Sequence, residues 1–495
     1  MKKRYLILSL FLSAVCVGTS AQELVVEHVE GPTVMCQGDL RDIMYAEQTP
    51  GGPMKARQFA NPNDAVVNYK ERITNMPQYL HDFIDQFVAA GRTVLNGGSS
   101  WLSDPTKATL GSSSYYYPVK QLTGDIPFTF PPNASADVVK QAAQNAVLKI
   151  YNEEYDILKS FLPYAFLSLN YDHPEFFWIG NAYNYGAGYG FQISYYPSRG
   201  TGTASYTIDL MFHLYANGFD IRTNGVGTYN FRNTTYLANG VEQFKADKEA
   251  ILAQCSGTRY EKLLAAHDWL THHNCYNYYY LQGYVQSSIG DTPWSAFSAM
   301  EGNDDQQAPV CEGYARAFKV LCDDMNIPCI LMSGNVVDEN GDRGGHMWNY
   351  VQMEDGKWYV VDVTWDDPTV WAYYNQTVTG FESHDWFLLG SESPVGSGLT
   401  LIESHPEQSL DSYPSQGSYT WDLLPGPQLS PVAYTLGGVK HGDVNGDDSI
   451  DIADAVAVLN AMAGRDVSGN PDVNGDKAVD IADAVKVLNI MAGKQ

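Results

Sequence analysis

The chain is short of positive charge. Its 495 residues carry 30 lysines and arginines against 57 aspartates and glutamates, a formal net charge of −27. So acidic a surface repels phosphate backbones, which argues against nucleic acid as a partner and for a well-solvated exterior. Long apolar runs are also missing: the one stretch from Tyr5 to Val17 is too short to span a bilayer permanently. Cysteine is scarce, with seven in all, and that scarcity limits how many disulfides the chain can form. What is plentiful is length, and 495 residues exceed one hydrophobic core, so two or three domains are expected.

The first residues set the expected compartment. Lys2, Lys3 and Arg4 precede the apolar stretch, and Thr19-Ser20-Ala21 offers a small-residue cleavage site before Gln22. Residues 1–21 therefore read as a signal peptide, and the protein as secreted. Its removal takes Cys16 away and leaves cysteines 36, 255, 275, 311, 322 and 329. If one of them is a nucleophile, five remain and full pairing is excluded. Cys322 reads as a buried free thiol, and Cys255 with Cys275 stays an open pairing.

Residues 22–134 form an N-terminal region of unknown role. Within it, Leu80, Phe83, Ile84, Phe87 and Val88 share one helical face that should end near Gly91, and residues 115–132 read as short strands. From Ser135, the spacing of Val139, Ala143, Val147 and Ile150 predicts a helix. Three alternating, aromatic-rich segments then run to Tyr215, with glycine turns and a Pro197-Ser-Arg-Gly200 turn, as in an antiparallel meander. Further helices are expected over 241–253 and 259–272. His173, and the group His267, His272 and His273, read as structural histidines, since a zinc site needs ligands that the local spacing does not supply. Tyr276, Tyr278, Tyr279, Tyr280 and Tyr284 either wall a cleft or pack in a sheet.

The chemistry concentrates between Pro309 and Asp367. Tyr314, Phe318, Leu321, Cys322 and Met325 recur at helical spacing, which puts Cys311 in the first turn of a helix. There the unsatisfied N–H groups and the positive end of the macrodipole favour a thiolate and can face an oxyanion. His346 opens a strand, and Asp362 lies on the next one, across the Glu354-Asp355-Gly356 loop. A two-residue turn would pair position 346 with 365 and put His346 and Asp362 on opposite faces. A three-residue loop with Gly356 left-handed pairs 346 with 364 and leaves Asp362 as the same-face diagonal neighbour, about 7–8 Å away. An activated thiol requires the three-residue loop, which is the expectation here. Cys311 is then the nucleophile, His346 its base and Asp362 the orienter.

Cys311-Glu-Gly-Tyr-Ala-Arg-Ala-Phe, His346-Met-Trp-Asn-Tyr-Val and Trp358-Tyr-Val-Val-Asp362-Val-Thr-Trp resemble the bacterial transglutaminase-like superfamily. The similarity extends upstream to Tyr260 and downstream to His384. It implies a papain-like α+β fold with an antiparallel sheet over residues 135–392 and a Cys-His-Asp triad at Cys311, His346 and Asp362. Trp294, Gln306 and Gln307 are the candidates for completing the oxyanion hole. The resemblance leaves the acyl acceptor open, between water (peptidase, deamidase) and an amine (cross-linking). A non-catalytic peptide-binding component of an extracellular complex stands as a further alternative.

Residues 393–437 turn to Ser, Gly and Pro and read as a stiffened linker. A repeat follows at an offset of 29 residues. Asp443, Asn445, Asp447, Ser449, Asp451 and Asp454 recur as Asp472, Asn474, Asp476, Ala478, Asp480 and Asp483. Oxygen ligands at loop positions 1, 3, 5, 9 and 12, with a backbone carbonyl at 7, give calcium spacing. Aspartate at position 12, and one helix after each loop (453–463 and 482–492), resemble type I dockerin modules of cellulosome-like systems. The resemblance implies a small all-α module over residues 438–495 with two Ca2+ sites and a cohesin domain of a scaffold protein as partner. Ile452-Ala453 and Ile481-Ala482 fall at the positions that would choose the cohesin.

Overall fold

The computed structural model describes residues 24–44, 67–98, 117–216, 220–223, 228–231, 234–278, 292–302, 308–338, 341–367, 383–406 and, from 418 to 492, all but short breaks. It is a mixed α and β architecture whose strands pair antiparallel.

A large N-terminal sheet comes first. Strands β1 (Val25–Glu30) and β2 (Val34–Asp39) both pair with β4 (Ile179–Tyr196), which pairs with β5 (Thr201–Ala216), and β5 with β3 (Tyr117–Thr129). The Pro197–Gly200 turn joins β4 to β5, with Gly200 in the left-handed region at φ 65°. The expected three-segment meander is instead two long strands. The glycines inside β4 do not turn the chain: at Gly188 a Cβ would lie 3.0 Å from the Thr33 hydroxyl, so the missing side chain admits the N-terminal segment. The short strands expected over 115–132 are likewise one 13-residue strand, β3.

Helices α1 (Arg41–Met44) and α2 (Tyr69–Arg72) precede α3 (Gln78–Leu95), which runs four residues past the expected stop at Gly91. A Cβ at position 91 would sit 2.5 Å from the Phe176 ring, so this glycine makes room for packing rather than ending a helix.

The 37-residue α4 (Ala136–Asp172) joins the two halves of the molecule. Its first turns bury one face, whereas residues 160–171 are buried all round. A helix enclosed on every side has structure on every side. It packs on β3, β4 and β5, and its Tyr171 hydroxyl donates to Ser333 Oγ at 2.6 Å in the second sheet. The short ribbon β6 (Asp220–Thr223) and β7 (Thr228–Phe231) leads to α5 (Thr234–Leu252) and α6 (Arg259–His273). Thr258 and Glu261 form a reciprocal capping box at the start of α6.

After α7 (Ala296–Glu301) comes α8 (Cys311–Asp324), buried from Cys311 to Cys322. It lies on a four-stranded sheet in the order β11 (Phe387–Leu389), β10 (Trp358–Val361), β9 (Arg343–Gln352), β8 (Cys329–Val337). The β9–β10 register pairs Trp358 with Gln352 and Val361 with Asn349, the register of a three-residue loop. Met353 and Lys357 close that loop, and Gly356 is left-handed at φ 77°. The register expected from the chemistry is the one observed.

A helical turn, α9 (Leu401–Ser404), follows. One hydrophobic core runs continuously from Leu40 to Leu401, through both sheets. Described parts of the stretch read as a linker lie against this body: Ser430 N–H donates to Trp358 O, Tyr434 N–H to Leu388 O and Leu424 N–H to Arg72 O. The C-terminal helices α10 (Ile452–Met462) and α11 (Ile481–Met491) enclose a small separate core of Val444, Val458, Val473 and Val487 with three alanines.

Candidate active site

Cys311 opens α8, with Val310 as the extended N-cap residue. What fixes this start is a knot of backbone bonds just before it. Val310 N–H donates to Pro293 O, and Asn277 reaches Pro309 O with its N–H and Ala308 O with its side-chain amide. Gly313 faces the same wall; a Cβ there would meet Pro293 O at 2.6 Å. Cys311 is only 3% exposed.

His346 is on β9, which packs directly on α8. Its Nε2 lies 2.6 Å from Asp362 Oδ2. An ionised carboxylate only accepts, so Nε2 carries the proton and Nδ1 is left for the thiol. The Cys311 thiol is within hydrogen-bonding reach of the ring. Burial works against charge on His346, but the Asp362 carboxylate outweighs it and pushes the imidazole up to about 10. Burial would likewise raise Asp362; the His346 charge and the hydrogen bonds it receives hold it well below the usual carboxylate range. Asp362 sits just past β10, its N–H on Trp386 O, and its Oδ1 accepts the N–H groups of Thr364 and Trp365.

A second imidazole shares this carboxylate. His405, one residue past α9, lies with Nε2 3.0 Å from the same Asp362 Oδ2 and is buried. Nothing in the Ser/Gly/Pro composition around it marks a site. The one local signal is Thr400-Leu-Ile-Glu403, a capping-box spacing that starts the turn positioning it.

Tyr276 reaches the thiol from the other side. Its hydroxyl contacts the Cys311 side chain and accepts the Cys311 N–H; burial first, then the neighbouring thiol, raises it well above its ordinary value. Of the tyrosine cluster, Tyr276 lies against the thiol and Tyr278 is exposed; Tyr279, Tyr280 and Tyr284 lie outside the described residues. Trp294 is half-buried near the start of α8, with the Arg41 guanidinium 5.1 Å over its ring. Gln306 and Gln307 lie outside the described residues.

The histidines of α6 divide by position. His272 and His273 bond the carbonyls of Asp268 and Trp269 one turn back. His267 is buried between Asp268 and Asp366, at 3.2 and 3.1 Å. Burial opposes its charge, yet these bonds push it up to about 9. His384 joins them, 2.7 Å from Asp268 and 2.9 Å from the Asn474 carbonyl. In both clusters, His346–Asp362–His405 and His267–Asp268–His384, ligand atoms lie within 4.8 Å of one another. Each ring nitrogen that faces a carboxylate there acts as a donor, which is the geometry of hydrogen-bonded pairs. His173, bonded to Glu175 and stacked on Phe176, is structural as expected.

Residues 249–363 match the family model of the transglutaminase-like superfamily. This part of the chain is a transglutaminase-like domain. No curated protein matches the chain. A solved structure described as "Crystal structure of a TGase" is similar at 16% identity, over 33% of this chain and 41% of that one, with a TM-score of 0.21. The chain thus spans less than half the length of that structure. The transglutaminase-like domain includes Tyr276, Cys311, His346 and Asp362; His384 and His405 lie beyond its matched residues.

In the C-terminal repeat, Asp451 and Asp480 cap α10 and α11, and the two loops use position 12 alike. Asp454 Oδ1 accepts the Val444 and Asn445 N–H groups and its Oδ2 that of Asp451; Asp483 does the same for Val473, Asn474 and Asp480. Asp443, Asp454 and Asp483 are buried. Buried carboxylates in an all-oxygen donor set fit a hard divalent cation. Asp447 and Asp476 lie outside the described residues. Ile452 and Ile481 are 59% and 61% exposed, each beside its alanine, Ala453 or Ala482. Lys486 of α11 pairs with Asp385 of the body.

Proposed function

We propose that the protein is a secreted cysteine hydrolase that cleaves protein or peptide amide bonds through a thiol acyl-enzyme. The observation that carries this reading is a thiol at a helix N-terminus, within reach of an imidazole whose far nitrogen is held by a buried carboxylate. The thiol proton passes to His346 Nδ1 and the sulfur attacks the amide carbonyl. The Tyr276 hydroxyl, which accepts the Cys311 N–H and reaches the thiol, is the donor nearest the oxygen that gains charge. His346 returns its proton to the leaving amine, and water, activated by the same ring, releases the acid. An amine entering in place of water makes the same site an acyltransferase.

Delivery is the second half of the proposal. The basic and apolar residues 2–17 support export. Residues 438–495 form a dockerin-like module that binds two Ca2+ ions and a cohesin domain of a scaffold. Asp443, Asn445, Ser449, Asp451 and Asp454 would hold one ion, and Asp472, Asn474, Ala478, Asp480 and Asp483 the other, with Asp447 and Asp476 completing the loops. Bound calcium supplies the charge that draws each acidic loop together. Ile452, Ala453, Ile481 and Ala482 present the apolar surface to the partner.

The test is the alkylation rate of each cysteine against pH, read by mass spectrometry in the wild type and in His346→Ala. The reading requires Cys311 to react well below the ordinary thiol value of about 8.5, and His346→Ala to abolish that advantage. Equal reactivity of all cysteines in the wild type would sink it. Incubation with a glutamine-containing peptide, with and without a primary amine, then separates water from amine as acceptor.

A further inference from the structure

Asp362 is saturated. Its Oδ1 takes two backbone N–H groups and its Oδ2 takes two imidazoles, which fills the roughly four lone-pair sites of a carboxylate. His405 is gripped for this task. Its ring centroid lies 4.6 Å from that of Trp365, 4.8 Å from Trp386 and 5.0 Å from Trp348. Its backbone N–H bonds Leu401 O at 2.7 Å, and ring Nδ1 lies 3.3 Å from Ser404 Oγ. A histidine that merely filled this box could send its ring N–H to a backbone carbonyl; this one sends it to the oxygen that His346 uses.

We propose that His405 is a positioning residue that acts on His346 through Asp362, drawing off part of the charge on one carboxylate oxygen and so tempering how tightly that carboxylate holds the His346 proton. The inference rests on the cysteine-nucleophile reading above. Two donors on one acceptor weaken each other, so a buried carboxylate facing His346 alone would bind the imidazolium more firmly. Such a pair forms a thiolate readily but gives its proton to a leaving amine reluctantly. His405 suits the role because it adds a dipole without a second charge: burial holds it below its ordinary value despite Asp362. Among the described residues, the titratable groups that meet the cluster are Tyr276, Cys311 on α8, His346 on β9 and Asp362 after β10.

The test compares His405→Phe, which keeps a ring among the tryptophans without the donor, with His405→Gln, which restores an N–H. The readout is the pH at half-maximal alkylation of Cys311 by iodoacetamide in the full chain, with near-UV circular dichroism as the check of packing. The expected result is a downward shift of about one pH unit in His405→Phe, the size set by one lost hydrogen bond, and a return to within about 0.3 unit of wild type in His405→Gln. If His405→Phe does not fold, His405→Asn, whose amide falls short of Asp362, takes its place. A half-point that stays or moves upward overturns the inference, since loss of packing alone loosens the site and weakens the thiolate. A wild type whose Cys311 shows no acid-shifted reactivity overturns the nucleophile reading, and this inference with it.

Discussion

Arg316 offers the sharpest test of how the active-site helix is held. It lies one turn after Glu312 on α8, and both are buried. Its guanidinium donates to Glu312 Oε2 at 3.0 Å, to Asn181 Oδ1 at 3.0 Å and to Asn170 Oδ1 at 2.6 Å. The asparagines belong to β4 and α4, so this pair links the helix of Cys311 to the N-terminal sheet. Arg316→Leu removes three hydrogen bonds and the guanidinium that pairs with the Glu312 carboxylate, itself 0% exposed. Breaking a buried pair from one side costs about 3–5 kcal/mol. Replacing both residues with leucine removes the stranded charge, so the double variant should lose about 1–2 kcal/mol, chiefly the unmet amides of the asparagines. Urea denaturation followed by tryptophan fluorescence measures both. The double variant must be more stable than Arg316→Leu. A single-variant cost below about 1 kcal/mol, or a double variant that loses the sum of the two singles, refutes the argument that charge burial governs this contact.

Tyr276→Phe should lower amide turnover by about 100-fold, the order of one lost oxyanion donor, in a protein with unchanged circular dichroism; a change under about threefold removes Tyr276 from the mechanism. Stability should peak in mildly acidic buffer. Asp362 is depressed below its unfolded 3.8, so its contribution is present above that value and lost as pH falls through the folded one. His346 is raised from 6.5 to about 10, so its contribution is full below 6.5 and lost as pH rises through about 10. Urea midpoints across pH should fall on both sides, and His346→Gln should flatten the alkaline fall. Calcium chelation should remove a helical melting transition assigned to α10 and α11 and leave that of the Leu40–Leu401 core within about 2 °C, as two cores that unfold separately require; an unchanged melt in chelator contradicts calcium binding.

Local patterns were legible wherever local physics decides. Apolar periodicity predicted α6 and α8, and the hairpin register followed from one glycine and the need to put His346 and Asp362 on one face. Gly91 and the glycine turns expected before Tyr215 misled because such a glycine answers to a distant neighbour, the Phe176 ring at Gly91 or the Thr33 side chain at Gly188, that a linear reading does not contain. His405 and Asp366 were missed for the same reason. Each acquires its partner through tertiary packing, from Asp362 in one case and His267 in the other, and neither stands in a pattern of its own. Tyr276 stood in plain view among tyrosines that composition could not tell apart; the bonds of its neighbour Asn277 to the Ala308 and Pro309 carbonyls single it out.

The loop at Gly356 gives this protein an unusual relation to insertion and deletion. The tip of a β-hairpin is ordinarily where a chain can change length at small cost. Here the tip holds none of the reacting groups, yet its length is the gauge that sets which face Asp362 occupies. One residue more or fewer would leave a hairpin that still pairs and still buries strands, with every side chain beyond it turned over. Substitution at 354 or 355 costs only local bonds, those of Glu354 with Arg259 and Tyr434 and of Asp355 with Tyr359, whereas a change of length moves the whole strand. Drift in this loop would extinguish the chemistry before it disturbed the fold, leaving a sound scaffold with the cysteine and histidine intact and their carboxylate facing away.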